Sequence, residues 1–184
     1  MSGCGGIHVK KASQDTDKAR QEERTPVKKV FVTSDKKYSL TADSDWKDVL
    51  AQQKNAENEM TLMLKDRQMY IAVVSKDKSR YDGLIRVREV TDYAEVVIEG
   101  MREDVEDFSG GTIKKGARIS GFPCRTADCR LKRDGLSLAY RIYFLDTGTD
   151  YVELMLWSDS SVFRENQAYL DKIAGSFREP GESR

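Results

Sequence analysis

The chain has 184 residues, of which 31 are basic and 31 acidic, so its formal net charge is zero. A balanced charge gives no overall attraction to nucleic acid, which argues against a nucleic-acid-binding protein. No apolar run approaches the roughly 18 residues that a transmembrane helix needs. The length suits one domain of roughly 150 residues, which can fold without disulfide bonds, together with some polar excess.

The N-terminal residues Ser2-Gly3-Cys4-Gly5-Gly6 resemble the end of a bacterial lipobox, in which small residues precede a cysteine that becomes lipidated. The sequence contains no complete signal peptide, which requires a basic segment and about 7–15 apolar residues. On this interpretation the chain is a mature or restarted form and Cys4 carries the lipid. The alternative is an ordinary cysteine in a tag remnant or a disordered tail.

Residues 5–28 contain almost no aliphatic side chains and are rich in charged and polar ones. Such a segment cannot bury enough apolar surface to offset the entropy lost on ordering. We therefore predict that residues 1–28 comprise the candidate lipidation site and a disordered tether that ends near Pro26. Residues 29–179 are predicted to form the folded domain, and residues 180–184 a disordered tail.

Short strands and turns are predicted in the first half of the domain. Alternating apolar residues indicate strands at Lys29–Thr33, Tyr38–Ala42 and Met60–Leu64 and a denser, central strand at Met69–Ser75. Asp43 or Ser44 is expected to cap a short helix that begins near Trp46.

The longest predicted helix spans Leu84–Phe108, where apolar residues recur every three or four positions and the other faces are acidic. Ser109-Gly110-Gly111 is expected to end it, as glycine commonly does. The acidic faces could bind a basic partner, but a solvated helix surface is the simpler interpretation. Lesser strands are predicted at Lys114–Ile119 and Cys129–Arg133, with a corner at Pro123.

The stretch from Arg130 to Glu179 is predicted to form two long strands and one amphipathic helix. Leu136–Leu145 and Tyr151–Trp157 alternate in polarity, and Asp146–Asp150 contains the glycine of a hairpin turn. Ser158–Ser161 supplies several helix N-caps. The apolar face of the following helix is expected to pack on the sheet through Phe163, Leu170, Ile173, Ala174 and Phe177.

This order of elements resembles the PsbP-like family, which includes the photosystem II extrinsic protein and many bacterial lipoproteins. Three places carry the resemblance: Tyr38–Thr41 leading to Asp45-Trp46-Lys47, the corner Gly121-Phe122-Pro123, and Tyr151–Leu156 followed by a helix ending in Ser176-Phe177. Ala42 stands where the family usually has proline. The resemblance implies an α+β fold, an antiparallel sheet flanked by helices, and no shared catalytic residues.

The sequence offers few residues that could serve in catalysis or bind a metal. His8 is the only histidine and lies in the tether, which excludes histidine-based triads and zinc sites in the domain. Gly111–Gly116 has phosphate-loop spacing, but Ala117-Arg118 replace the required Lys-Ser/Thr. Acidic pairs at Asp43/Asp45 and Asp146/Asp150 lack an EF-hand pattern and suit turns and caps. We expect no cofactor and no metal; a hydrolase using two carboxylates is a distant alternative.

Two pairs of side chains are the remaining candidate sites. Cys124 and Cys129 flank a polar segment after Pro123, and a chain reversal there would bring them within disulfide range. Two free thiols in a cytosolic protein are the alternative. Trp46 and Trp157 are candidate anchors of a binding surface, since tryptophan is enriched where proteins bind; core packing is the alternative.

Two functional hypotheses follow. The first is a non-enzymatic, lipid-anchored, extracytoplasmic binding protein whose partner is an unknown protein or cell-envelope ligand. It depends on Cys4, the tether, the family resemblance and the lack of catalytic histidines. The second is a cytosolic adaptor or chaperone of the same fold that binds an apolar segment of a client.

Overall fold

The computed structural model describes residues 26–52, 57–83 and 86–181. Within these ranges the helices are α1 (Val90–Asp104) and α2 (Ser160–Ala174). The strands are β1 (Lys28–Val32), β2 (Ser39–Asp43), β3 (Lys47–Asp48), β4 (Met60–Leu64), β5 (Met69–Asp77), β6 (Glu106–Gly110), β7 (Lys114–Lys115), β8 (Cys124–Arg133), β9 (Leu136–Asp146) and β10 (Asp150–Asp159).

The described strands form one large antiparallel sheet and a separate hairpin of β1 and β2. The order in the large sheet is β3-β4-β5-β10-β9-β8-β6, and β7 also pairs with β8. β9 and β10 lie at its centre. They are long strands whose side chains alternate in polarity, and the turn at Gly148 joins them. The predicted α+β fold, an antiparallel sheet flanked by helices, is therefore confirmed.

The alternation of side chains along β10 divides the core into two layers. Val152, Leu154 and Leu156 are fully buried and share one core with α2 and the β1–β2 hairpin. Tyr151 points to the other face, where it packs with residues of α1. Because successive strand side chains point to opposite faces, the sheet forms a layer between the two helices.

The closing helix meets the sheet as predicted, and the chain beyond it is also ordered. Phe163, Leu170, Ile173, Ala174 and Phe177 are all buried. Past the end of α2, the backbones of Ser39 and Arg178 exchange two hydrogen bonds, of 2.8 and 3.1 Å. The segment that follows α2 is thereby joined to β2.

The long helix predicted at Leu84–Phe108 is wrong at both ends. Glu89 is the N-cap of α1 and forms a capping box with Asp92, so the helix begins at Val90. Val105 has extended backbone angles, and Phe108 lies in β6. The apolar spacing extends to Phe108 because Phe108, although it lies in strand β6, packs against the same core as α1.

Two smaller predictions also need correction. The short helix expected after Trp46 is replaced by β3 and a single 3₁₀ turn at Leu50–Gln52. β8 begins at Cys124 rather than Cys129, and β7 spans only Lys114–Lys115. The predicted 1–28 tether and 180–184 tail lie largely outside the described residues, and Cys4 lies wholly outside them.

Candidate binding surface

Trp46 lies in the core and contributes nothing to a surface. Its side chain is 0 % exposed. Its indole Nε1–H donates to the Tyr169 hydroxyl at 2.8 Å, and that hydroxyl donates to the Asp43 carboxylate at 2.7 Å. Burial raises the pKa of Tyr169 to about 12, so the hydroxyl remains a donor at neutral pH. The prediction of Trp46 as a surface anchor is therefore wrong: this tryptophan links the hairpin region to α2.

Trp157, by contrast, is half-buried and lies at the centre of three stacked rings. It is directly opposite Tyr70 on β5 and Tyr140 on β9. The ring centroids of Trp157 and Tyr70 are 5.2 Å apart at an interplanar angle of 11°, and those of Trp157 and Tyr140 are 5.7 Å apart at 8°. Such pairs stabilise by about 0.5–1.5 kcal/mol beyond area burial.

Two methionines extend this group of rings. Met63 on β4 is directly opposite Tyr70, and Met155 is two residues from Trp157 on the same face of β10. We call Met63, Tyr70, Tyr140, Met155 and Trp157 the aromatic–methionine surface; all five are half-buried. Helix α1 packs on β8 and β9 of this face, and Tyr140 and Met155 border the core beneath it. Met63, Tyr70 and Trp157 lie beyond that core.

None of the five side chains of the aromatic–methionine surface is charged, although the nearby Arg133 acts electrostatically on Tyr140. Burial raises the pKa of Tyr140 to about 12, so its hydroxyl stays neutral. Four of its residues form one row across β4, β5, β10 and β9. With strands about 4.8 Å apart, that row is about 14 Å long. It suits an apolar segment lying across the strands.

The predicted disulfide between Cys124 and Cys129 is wrong. Both residues lie in one continuous strand, β8, and both are free and buried. Five residues of strand separate their backbones by about 17 Å, and an odd separation places the side chains on opposite faces. Cys124 belongs to the α2 core and Cys129 to the α1 core. Burial raises the pKa of Cys124 to about 12 and that of Cys129 to about 11, so both groups stay protonated thiols at neutral pH.

Glu153 is a buried acid that sequence reasoning missed. It lies on β10 beneath α1, is 8 % exposed, and accepts a 2.5 Å hydrogen bond from the Tyr93 hydroxyl. Burial raises the pKa of Glu153, and the Tyr93 hydrogen bond opposes this only in part. Burial also raises the pKa of Tyr93. The carboxyl group therefore holds its proton to a higher pH in the folded protein than in the unfolded chain.

Replacing Glu153 by Gln is expected to stabilise the protein at neutral and alkaline pH. Because folding raises the pKa of Glu153, the native carboxyl destabilises the fold progressively as pH rises above its unfolded value of about 4.3. A neutral amide removes this loss, so Glu153→Gln should gain stability over wild type as the pH rises from 4 to 8. Urea unfolding of wild type, Glu153→Gln and the exposed control Glu165→Gln from pH 4 to 8 measures it. Parallel curves for wild type and Glu153→Gln would refute the prediction.

Asp150 is a second buried acid, and its partners come from the other end of the chain. Its side chain is 1 % exposed and accepts from the Lys37 ammonium at 3.1 Å and from the Tyr38 hydroxyl at 2.8 Å. Thr149 Oγ1 donates to it at 3.0 Å. Asp146, at the other side of the same turn, forms an ion pair with Lys78 at 2.9 Å. Asp146 and Asp150, the acidic pair noted in the sequence, are thus each paired with a lysine of the protein.

The described residues contain no group of three or more His, Cys, Asp or Glu side chains that could hold a metal ion. Neither α1 nor α2 is long and apolar enough to cross a membrane, which holds for every helix within the described ranges.

Comparison with known proteins identifies solved structures of similar architecture. No protein-family model matches the chain, and no curated protein matches it in sequence. The solution structure of cyanobacterial PsbP (CyanoP) from Synechocystis sp. PCC 6803 is similar, with a TM-score of 0.61 at 12 % identity over 97 % of this chain and 98 % of that one.

Two further solved structures share the architecture. The Ran-binding protein Mog1p of Saccharomyces cerevisiae has a TM-score of 0.56 at 6 % identity, over 84 % of this chain and 96 % of that one. LpqN of Mycobacterium tuberculosis, involved in cell envelope biogenesis, has a TM-score of 0.50 at 10 % identity, over 83 % and 87 %. The protein is thus an α+β sandwich of a kind that recurs in Ran-binding and envelope-related proteins. Its fold is PsbP-like, which confirms the family resemblance at the level of the fold.

Proposed function

We propose that this protein is a non-enzymatic binding protein, anchored by a lipid on Cys4 at the outer face of a bacterial cytoplasmic membrane. We further propose that its aromatic–methionine surface binds an apolar segment of a partner protein. The observation that supports this most is the uncharged, half-buried stack of Tyr70, Trp157 and Tyr140. Aromatic residues and methionine are enriched at protein interfaces, and methionine adapts to irregular apolar partners.

The shape of the surface favours a peptide segment over a small molecule. Its rings lie in one row across several strands rather than around a cavity. A structural neighbour, the Ran-binding protein Mog1p, also binds a partner protein. A binding rather than a catalytic role agrees with this fold, and the tether would hold the surface away from the lipid headgroups.

A cytosolic adaptor that uses the same surface is the second candidate. The free thiols of Cys124 and Cys129 favour it, because they remove the expected disulfide and with it the argument for an oxidising compartment. The two candidates use the same surface, but they differ in compartment and in whether Cys4 carries a lipid.

Location is tested with the native gene, including its upstream sequence, expressed in its own host. The anchored form is expected in the detergent phase of a Triton X-114 partition, with the mass of a lipid on Cys4. A Cys4→Ser variant is expected to move to the aqueous phase and to lack the mass of the lipid. An unmodified wild-type chain in the aqueous phase would support the cytosolic adaptor instead.

Binding is tested by pull-down from detergent-solubilised membranes of the same host. We expect Trp157→Ala to lose at least ten-fold of the partner that the wild type retains, since central aromatic anchors dominate interface energy. Trp157→Phe, which keeps a ring in the stack, and Leu136→Ala, at a residue 57 % exposed, are expected to retain it. Circular dichroism verifies that each variant is folded. Undiminished capture by folded Trp157→Ala would reject the proposed surface.

A further inference from the structure

A cleft of about 390 Å³ opens on the opposite face of the sheet, between α2 and the strands β8 and β9. Phe163 and Arg164 line it from the helix, and Asp128, Arg130, Ala139 and Arg141 line it from the strands. The small side chain of Ala139 lies opposite Arg130 in the strand register. The volume falls within the range of about 300–1,000 Å³ that is typical of small-molecule sites.

One of the three arginines is fixed by acidic partners. Arg141 Nε and Nη2 donate to the two oxygens of Asp128 at 2.7 and 3.0 Å, and Nη1 donates to Asp171 at 2.7 Å. The Tyr143 hydroxyl donates to the other Asp171 oxygen at 2.8 Å. These contacts raise the pKa of Arg141. Asp128 and Asp171 thus share the single positive charge of Arg141, and these three groups together carry one net negative charge.

The other two arginines are available to a ligand. Arg130 and Arg164 are exposed, and within the part of the chain that the structure describes neither side chain has an ion pair or hydrogen bond. The N-terminal half of α2 lines the same cleft. The cleft therefore holds an excess of positive charge beside an apolar residue, Phe163.

We infer that this cleft binds a small organic anion. Its phosphate or carboxylate group pairs with Arg130 and Arg164, whose planar guanidinium groups donate two parallel hydrogen bonds to such oxygens. The apolar part of the ligand packs against Phe163. Arg141, held by Asp128 and Asp171, forms a rigid wall of the site. The arginines of this site do not belong to the aromatic–methionine surface, although Tyr140 of that surface also borders the cleft.

Titration with defined probes, followed through the arginine Nε–Hε resonances by nuclear magnetic resonance, tests the site. The probes are inorganic phosphate, citrate, and vesicles of phosphatidylglycerol with phosphatidylcholine vesicles as the neutral control. We expect saturable shifts of the Arg130 and Arg164 signals at millimolar concentration or below. Response to phosphate or citrate identifies a soluble anion of that type, and response to phosphatidylglycerol vesicles alone identifies a lipid headgroup.

The double variant Arg130→Ala/Arg164→Ala, followed through the Arg141 Nε–Hε resonance that it keeps in the cleft, is expected to weaken binding at least ten-fold. Both side chains are exposed, so the fold is expected to persist. Arg80→Ala removes an exposed arginine outside the cleft and is expected to bind as the wild type does. The inference is overturned if no probe shifts the two arginines at 10-fold molar excess over about 1 mM protein, or if the double variant binds like wild type.

Discussion

Asp150→Ala is expected to lower the free energy of unfolding by about 3–5 kcal/mol, because the buried carboxylate accepts hydrogen bonds from Tyr38, Thr149 and Lys37, and each hydrogen bond to a charged group contributes about 1.5–3 kcal/mol. The Lys37 side chain itself is 49 % exposed, so its ion pair is the smaller part of the loss. The Asp150 side chain is 1 % exposed and receives the Lys37 ammonium and the Tyr38 hydroxyl. Removing it takes away the acceptor of the buried Tyr38 hydroxyl, which then keeps Thr147, 2.9 Å away, and Thr149 as neighbours. It also detaches the loop before β2 from the β9–β10 turn.

Urea unfolding monitored by circular dichroism measures this loss. With a urea slope of about 1–3 kcal/mol per molar, the midpoint should fall by more than 1 M or so. Asp146→Ala is the matched control, because it removes an acid from the same turn that pairs with a cation but is 24 % exposed. A partly exposed pair contributes about 1 kcal/mol or less. Equal losses in the two variants would show that burial of Asp150 is unimportant.

Phe177→Ala is the second substitution with a large expected effect, again about 3–5 kcal/mol, the range for deleting a buried phenylalanine ring. Phe177 follows the end of α2 yet is 0 % exposed. Its ring stacks on Tyr38 at a centroid distance of 5.0 Å and contacts Phe122 edge-on at 6.4 Å. Ser120 Oγ donates to its carbonyl oxygen at 2.5 Å.

The same unfolding assay applies to this ring, with Phe108→Ala as the control. Phe108 is half-buried in β6, so the same truncation there should cost clearly less. Loss of the Phe177 ring should also lower the protection of the Ser39 and Arg178 amides from hydrogen exchange, because both amides bond across that contact. Unchanged exchange and stability would contradict the role assigned to Phe177.

Local pattern predicted the centre of the fold well. The β9–β10 hairpin follows from alternation and the Gly148 turn, and that turn also determines that Tyr140 faces Trp157. Part of the aromatic–methionine surface was therefore accessible from the sequence.

The turn between β8 and β9 was also predicted. Asp134 and Gly135 both have positive φ values, 51° and 78°, which is the two-residue hairpin geometry that Asp-Gly favours.

Long-range pairing accounts for what the sequence could not reveal. The position of Tyr70 beside Trp157 depends on the register between β5 and β10, which no local turn determines. The burial of Asp150 and Glu153 depends on residues more than fifty positions away. Cys124 and Cys129 were expected at a corner because polar residues separate them, but those residues are part of a strand that continues through both.

The pairing of β5 with β10 has a consequence for how the chain folds. β3, β4 and β5 are joined by local connections, and so are β8, β9 and β10, whereas in the described sheet β5 and β10 alone join these two groups. Local hairpins form quickly, but closing a long loop is entropically costly and slow. We therefore expect the two meanders to form first and their association to limit the folding rate. Trp157 stacks on Tyr140 within one meander and on Tyr70 across the junction, so its fluorescence in a Trp46→Phe background would report both steps in turn.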